Sequence, residues 1–381
     1  MMRDRFVTGL LFVLVAGILS APAGAQTAGP PALGLVHGTN SLVRFDVTAP
    51  GTLGATIPIT GLGAGETLKA IDYRPANGTL YGVTTDGTNA VHLYSINATT
   101  GAATSVGASV TLPTTGTSWD ISFNPVVDRI RIVNDQDENA RLVPDTGALA
   151  ADDTNLTPPA ATVDSIAYTN PVAGATTTTL YALNQATNSL ATIGGIGGTP
   201  SPNGGVVTDV GPLGVTFAGS SNAIDIATNN TAYAVIRPVN GVTSVYTVSL
   251  TTGAATLVGA LGDGTLAIDD IAMIDPSLTI SPPTGTYTSR QNFDLVFLAD
   301  APGRTVVTGS ASFDGLDVTS VVAGCVRSGV ASGGVVSFRC PNVGGPAVGA
   351  GMHTFQVRLV MNDGSVVQRS VTWTVVAVTE P

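Results

Sequence analysis

Six aspartates stand near the head of short apolar runs that recur along the chain. AIDYRP (70–75) carries Asp72, SWDISFNP (118–125) carries Asp120, and DSIAYTNP (164–171) carries Asp164. AIDIATN (223–229) carries Asp225, and DDIAM (269–273) carries Asp269 and Asp270. In the third run Ser165 takes the strand-head place and Asp164 falls one residue early. Carboxylates presented in this way, module after module, suit three chemistries. A ring of them can hold Ca²⁺, which favours six to eight oxygen ligands. A pair can serve as acid and nucleophile or base on a glycosidic bond. Each can also accept backbone N–H groups from its own strand turn or from a neighbouring module, which is the ordinary use of a strand-head Asp.

A second set is cationic. Arg74, Arg129, Arg131 and Arg141 cluster in a chain with few positive charges, and Arg129 and Arg131, two apart, share a strand face. Ion pairs to Asp128 or to the strand-head aspartates account for them most simply. The sharper expectation is a pocket for an anion or a carboxylate ligand. NDQDENARL (134–142) opens like a calcium loop at Asp135, Asp137 and Asn139, but Ala140 stands where Gly is required and Thr146 where Glu is required. Three scattered histidines, His37, His92 and His353, make no zinc set and read as surface or packing residues. No G-x-S-x-G elbow, H-E-x-x-H pair or Gly-rich phosphate loop occurs. A glycosidase acid is usually Glu, and before the C-terminal region only Glu66 and Glu138 are available.

The elements that must position these residues read as strands. LYSINATTGAATSVGAS (93–109) and VYTVSLTTGAATLVGAL (245–261) align at a constant offset of 152. Each is an alternating run, a Thr-Thr-Gly turn and a second alternating run, the pattern of an antiparallel hairpin. Weaker echoes lie at 41–56, 140–150 and 188–198. Second strands follow the first four Asp-bearing runs: LYGV (80–83), RIRIV (129–133), LYAL (180–183) and AYAV (232–235). DDIAM lacks such followers, while LGLVHG (33–38), SLVRFDV (41–47) and GATIPI (54–59) look like later strands of a module without a first. Joining the ends would complete a fifth module and close a sheet ring without exposed edges. Residues 33–274 then give roughly 48 per module, within propeller range. A six-bladed ring using VTDVGPLGVTF (207–217) as extra strands is the alternative.

Composition agrees with an all-β chain. Of 381 residues, 46 are Gly, no long run keeps helical periodicity, and the net charge is −11. Such a field repels phosphate backbones and argues against nucleic-acid binding. The N-terminus, a basic MMRDR, an apolar FVTGLLFVLVAGIL and the cleavage-type Ala23-Gly24-Ala25, reads as a signal peptide over 1–25. The mature chain then has no membrane span and is secreted, extracellular or periplasmic. Export lets Cys325 and Cys340 pair across an expected hairpin, which in the chain-entropy account stabilises by about 3 kcal/mol. From 276 to 381 a run of alternating strands matches an immunoglobulin-like sandwich, with the clearest hairpin at 352–360 and 365–376 and Trp373 at a core position.

GLGAGETLKAIDYRPANGTLYGV (61–83) and WDISFNPVVDRIRIVNDQDENARLVPDTGAL (119–149) resemble the signature stretches of an exported bacterial family, domain of unknown function 4394. The resemblance covers roughly 33–274. It implies a propeller-like fold in secreted proteins and supplies no activity. The expectation is therefore a five-bladed propeller over 26–275 followed by an immunoglobulin-like module over 276–381. Its function is that of an exported binding or structural, adhesion-type protein whose partner is a protein, a glycan or a cell-surface ligand. Enzyme is the minority reading, a carbohydrate-active or other hydrolytic one using the carboxylates Asp72, Asp120, Asp164, Asp225 and Asp270. Ca²⁺ at those residues is the one cofactor worth testing.

Overall fold

The computed structural model describes residues 30–158, 163–217, 219, 221–274, 277–281, 285–288, 295–300, 306–320, 326–331, 335–340, 349–361 and 366–377. The expected leader (1–25) and Cys325 lie outside the described residues, as does the side chain of Cys340, so the proposed cysteine pair does too. The described residues are almost wholly β: apart from strands there are only short helical turns such as Ile196–Gly198 and Pro202–Gly204. No helix among them is long and apolar enough to cross a membrane.

Strands up to residue 273 pair into five antiparallel sheets. The first holds Thr67–Tyr73, Leu80–Thr85, Ala90–Ile96 and Ala103–Ser105, with Val110–Thr111 also on the third strand. The second runs Trp119–Asn124, Arg129–Asn134, Asn139–Leu142 and Leu149–Asp152. The third runs Val163–Tyr168, Leu180–Asn184, Ser189–Ile193 and Val207–Pro212. The fourth runs Ala223–Ile226, Ala232–Ile236, Ser244–Val248 and Ala255–Ala260. The fifth begins with Ile268–Met273 and takes its other strands from the chain start: Pro31–Val36, Ser41–Asp46 and Ile57–Pro58. Residues 207–212 are the fourth strand of the third sheet.

The central strands read as unbroken apolar runs because both their faces are covered. Leu80–Thr85 and Leu180–Asn184 are buried at every residue. Five hydrophobic clusters fill the spaces between successive sheets, for example Leu33, Leu42, Ile71 and Tyr94 between the fifth and the first. First strands pack in sequence, 67–73 on 119–124, then on 163–168, 223–226 and 268–273, and the last returns to 67–73.

The repeated TTGAAT is the outer-hairpin turn of the first and fourth sheets. In the first copy Asn97 Oδ1 accepts the N–H groups of Thr99 and Thr100, both at 3.0 Å. Gly101 follows at φ +74°, where a Cβ would stand 2.1 Å from the carbonyl oxygen of Pro58 in the preceding sheet. Gly253 repeats this at φ +78°, 2.1 Å from the carbonyl of Gly211. Glycine is required twice over, by a left-handed backbone and by a close sheet-to-sheet approach. Gly101→Ala should therefore cost at least about 2 kcal/mol in thermal unfolding, more than left-handed strain alone. A loss under about 0.5 kcal/mol would mean that this contact is not made.

Beyond residue 276 two further sheets enclose one core. One orders Ser277–Ser281, Leu295–Asp300, Val335–Cys340 and Val326–Ala331. The other orders Gly285–Thr288, Val366–Val376, Gly351–Met361, Val306–Phe313 and Leu316–Asp317. The expected hairpin is present with its alternation intact, and Trp373 is fully buried among Leu278, Ala299, Phe355 and Val371.

Candidate functional site

Strand alternation turns the strand-head carboxyls inward, and each reaches two backbone N–H groups. Asp72 accepts from Tyr73 on one oxygen and from Phe123 of the second sheet on the other, both at 2.7 Å. Asp120 accepts from Ile121 and from Ile166 of the third sheet, both at 2.6 Å. Ser165 Oγ, in the third sheet, accepts from Ile224 of the fourth at 2.8 Å. Asp225 accepts from Ile226 at 2.7 Å and from Met273 of the fifth at 2.6 Å. Asp270 accepts from Ile271 at 2.7 Å and from Ile71 of the first at 2.6 Å. Each sheet hands one bond to the next and the fifth returns to the first. Ser165 substitutes for a carboxyl in this cycle, while the side chain of Asp164 lies outside the described residues. Asp269 does not join the cycle and pairs with His37.

These carboxyls are hard to ionise. Burial lifts Asp225 from 3.8 to about 7, against the two N–H bonds that favour its charged form. Burial, with the like charges of the other members, raises Asp72, Asp120 and Asp270 well above the usual carboxylate range. Every oxygen of the four already faces an N–H. Among the described residues no three His, Cys, Asp or Glu side chains are grouped to hold a metal ion. The arrangement acts as a belt that ties sheets together at their inner edge.

The arginines do not form one face. Arg74 is closed off: Asp128 takes its Nε and NH2, and Asp145 takes NH1 at 2.5 Å. Arg129 bonds the Asp128 carbonyl at 2.8 Å. Arg131 and Arg141, by contrast, are direct cross-strand partners in the second sheet. They share Asp153, whose Oδ2 accepts from Arg131 NH1 at 2.6 Å and from Arg141 Nε at 2.7 Å. Arg131 also donates to Asn139 Oδ1 at 2.7 Å and Asn203 Oδ1 at 2.6 Å. Asn139 Oδ1 is thus taken by Arg131, and Asp135 accepts from the Thr117 backbone and hydroxyl.

Arg131 and Arg141 line a cleft of about 240 Å³ with Val127, Tyr168, Thr178 and Asn203. Two polar atoms of these residues, Arg131 Nε and the Tyr168 hydroxyl, are buried without a hydrogen-bond partner. Both residues are 2% exposed. Two guanidiniums against one carboxylate leave a positive charge at the cleft. Tyr168 was not legible as a site residue, because only the packing of the third sheet on the second brings it beside Arg141. A further cluster missed in the sequence joins His92 to Glu66 and Ser105.

No curated protein matches the chain. Among solved structures it is similar to a proposed 6-phosphogluconolactonase from Bacteroides uniformis, at 16% identity over 65% of this chain and 72% of that one, TM-score 0.33. It is also similar to the extracellular domain of a proposed hybrid two-component system from B. thetaiotaomicron, at 10% identity over 88% of this chain and 48% of that one, TM-score 0.31. Murine CRIg matches at 16% identity over 27% of this chain and 98% of that one, TM-score 0.18. A family model covers the inner-strand aspartates and the arginine cleft together, over residues 41–272: the chain belongs to the family described as domain of unknown function 4394.

Proposed function

We propose that the protein is an exported binding protein. In this reading the five sheets are the blades of a five-bladed propeller closed by the N-terminal strands, and the C-terminal sheets are an immunoglobulin-like module that spaces or presents it. The ligand group is a carboxylate, received in the cleft of Arg131, Arg141 and Tyr168. The observation that carries this is the pair of buried, unpartnered donors, Arg131 Nε and the Tyr168 hydroxyl, beside two guanidiniums that share one acid. Buried polar groups are ordinarily satisfied, and a planar anion meets donors of this kind well. The volume suits a single sugar acid or a peptide end. Hydrolysis by the inner-strand carboxyls is the weaker alternative, since each of their oxygens already accepts an N–H.

Calorimetric titration with galacturonate and with N-acetyl-alanine tests this and separates a glycan source from a peptide one. Binding of either supports the proposal, and Arg141→Gln should weaken it at least tenfold, about 1.4 kcal/mol. Failure of both ligands to bind, or equal affinity in the variant, overturns it.

A further inference from the structure

We propose that Ser105 is an acylable nucleophile activated by His92 and Glu66, and that the first sheet thereby hydrolyses unhindered short-chain carboxylic esters. This site is independent of the carboxylate cleft, which is built by the second and third sheets.

The three side chains form a relay, with the Gly107 carbonyl oxygen as a second neighbour of His92 Nε2 at 3.2 Å. Ser105 Oγ lies 2.8 Å from His92 Nε2. His92 Nδ1 lies 3.0 Å from Glu66 Oε1. The other carboxylate oxygen, Oε2, accepts the Thr84 hydroxyl at 2.7 Å. Nucleophile, base and orienting acid are thus in order, and the acid is itself held.

Sheet register explains the gathering. Thr84 stands directly opposite His92 on adjacent strands, and Tyr94 stands opposite Ser105. His92 is two residues from Tyr94 on the same face, so it meets Ser105 across a diagonal. The Tyr94 ring packs on the imidazole with centroids 4.5 Å apart, limiting its rotation. Glu66 precedes the first strand, and its carbonyl is held by Asn40 Nδ2 at 3.1 Å.

Electrostatics suit the relay. Burial works to raise the Glu66 carboxyl, but hydrogen bonds from Thr84, His92 and Tyr94 outweigh it and hold the group below its ordinary value. An ionised Glu66 draws the imidazole proton to Nδ1. Nε2 is then left as acceptor for the Ser105 hydroxyl, which otherwise points to the Gly107 carbonyl at 3.0 Å. His37 supplies the contrast: Asp269 at 2.5 Å and Ser221 at 3.2 Å both meet its Nδ1, so no proton can pass through that ring from serine to acid side. Glu66 and His92 are largely shielded, 16% and 17% exposed, whereas Ser105 is open on the outermost strand.

Ser105 Oγ attacks the ester carbonyl carbon as its proton passes to His92 Nε2. The tetrahedral adduct collapses, the bond to the alcohol oxygen breaks, and His92 returns the proton to that oxygen. Water then attacks acyl-Ser105 by the same route in reverse roles, giving the acid and free serine. The open position of Ser105 offers no wall to a long acyl chain, which is why a short one is expected.

The test combines an ethyl fluorophosphonate probe with hydrolysis of p-nitrophenyl acetate by the full chain. The expected result is a phosphonyl adduct located at Ser105 by mass spectrometry, with hydrolysis falling to background in Ser105→Ala. Labelling should fall at least tenfold in His92→Gln. Glu66→Gln should lower kcat at least tenfold with KM unchanged, since Glu66 positions the imidazole and touches no substrate. Circular dichroism shows whether each variant keeps the fold, and Ser105→Ala removes only an exposed hydroxyl. No adduct at Ser105, an adduct formed equally fast in His92→Gln, or hydrolysis retained in Ser105→Ala would each overturn the proposal.

Discussion

Raising the pH from 5 to 8 is expected to lower the unfolding midpoint by roughly 10 °C. The cause is the belt of inner-strand carboxyls. Burial lifts Asp225 from 3.8 to about 7, and Asp72, Asp120 and Asp270 are raised well above the usual range by burial and by one another's charge. Between about pH 4 and pH 7 the folded protein therefore holds more protons than the unfolded chain. Stability falls with pH wherever the native state binds the extra proton. The contribution is fully present below the unfolded pKa and is lost as pH rises through the folded one. For Asp225 alone the shift corresponds to roughly 4 kcal/mol. Opposite groups exist, among them Glu66, Asp145 and Asp314, whose carboxyls lie below their ordinary values. Their stabilisation is present above about pH 4 and is lost below it, so they set the acid limit and leave the slope above pH 5 to the belt. Calorimetry at both pH values measures the difference directly. Asp225→Asn should unfold earlier at pH 5, because an amide cannot accept from both Ile226 and Met273, while the gap to pH 8 narrows. A midpoint that is flat or rises from pH 5 to 8 would show that these carboxyls are not buried as described.

Much of this belt was legible in the sequence, where accepting backbone N–H groups is the ordinary use of a strand-head Asp. Recurrence of Asp at strand heads follows from repetition of one module, and the offset of 152 between the TTGAAT copies is the spacing of the first and fourth sheets. Bonding follows the same spacing: Asp72 and Asp225 each accept the N–H of the residue after them, one strand position beyond the donors Ile71 and Ile224 that face back to the previous sheet. Choosing between an ion ring and a backbone belt required knowing where both oxygens point. The arginines show the same limit. Arg74 reaches Asp128 and Asp145, 54 and 71 residues away, and no local spacing announces either pair. Asn139 read as a calcium-loop oxygen because the motif is local, whereas its real partner, Arg131, is fixed by strand register. The His92 relay depends on a diagonal across two strands and on a residue outside both. Alternation gave the strands, and register, invisible in one sequence, gave the sites.

Asp153→Asn should cost about 3–5 kcal/mol, the usual penalty for taking one partner from a buried ion pair. Arg131 and Arg141 face each other across paired strands, an arrangement that repels unless an acid lies between. Asp153 is that acid: it is 7% exposed in its side chain and accepts from Arg131 NH1, Arg141 Nε and Arg141 NH2 at 2.6, 2.7 and 2.9 Å. An asparagine keeps the shape, but its amide nitrogen must face a guanidinium. The midpoint should fall by roughly 6–20 °C. Removing one of the two facing charges tests the cause. Arg141→Met in the Asp153→Asn background should recover part of the loss, a coupling that two independent sites would not show. A cost below about 1 kcal/mol, or a double variant weaker than the sum of its parts, would contradict the shared-acid account. The same substitution bears on ligand binding, because it leaves two guanidiniums at the cleft with only a neutral amide between them. A carboxylate that enters the cleft should then raise the midpoint of Asp153→Asn by more than it raises that of the unaltered protein, since it supplies the missing acid as well as its own binding free energy.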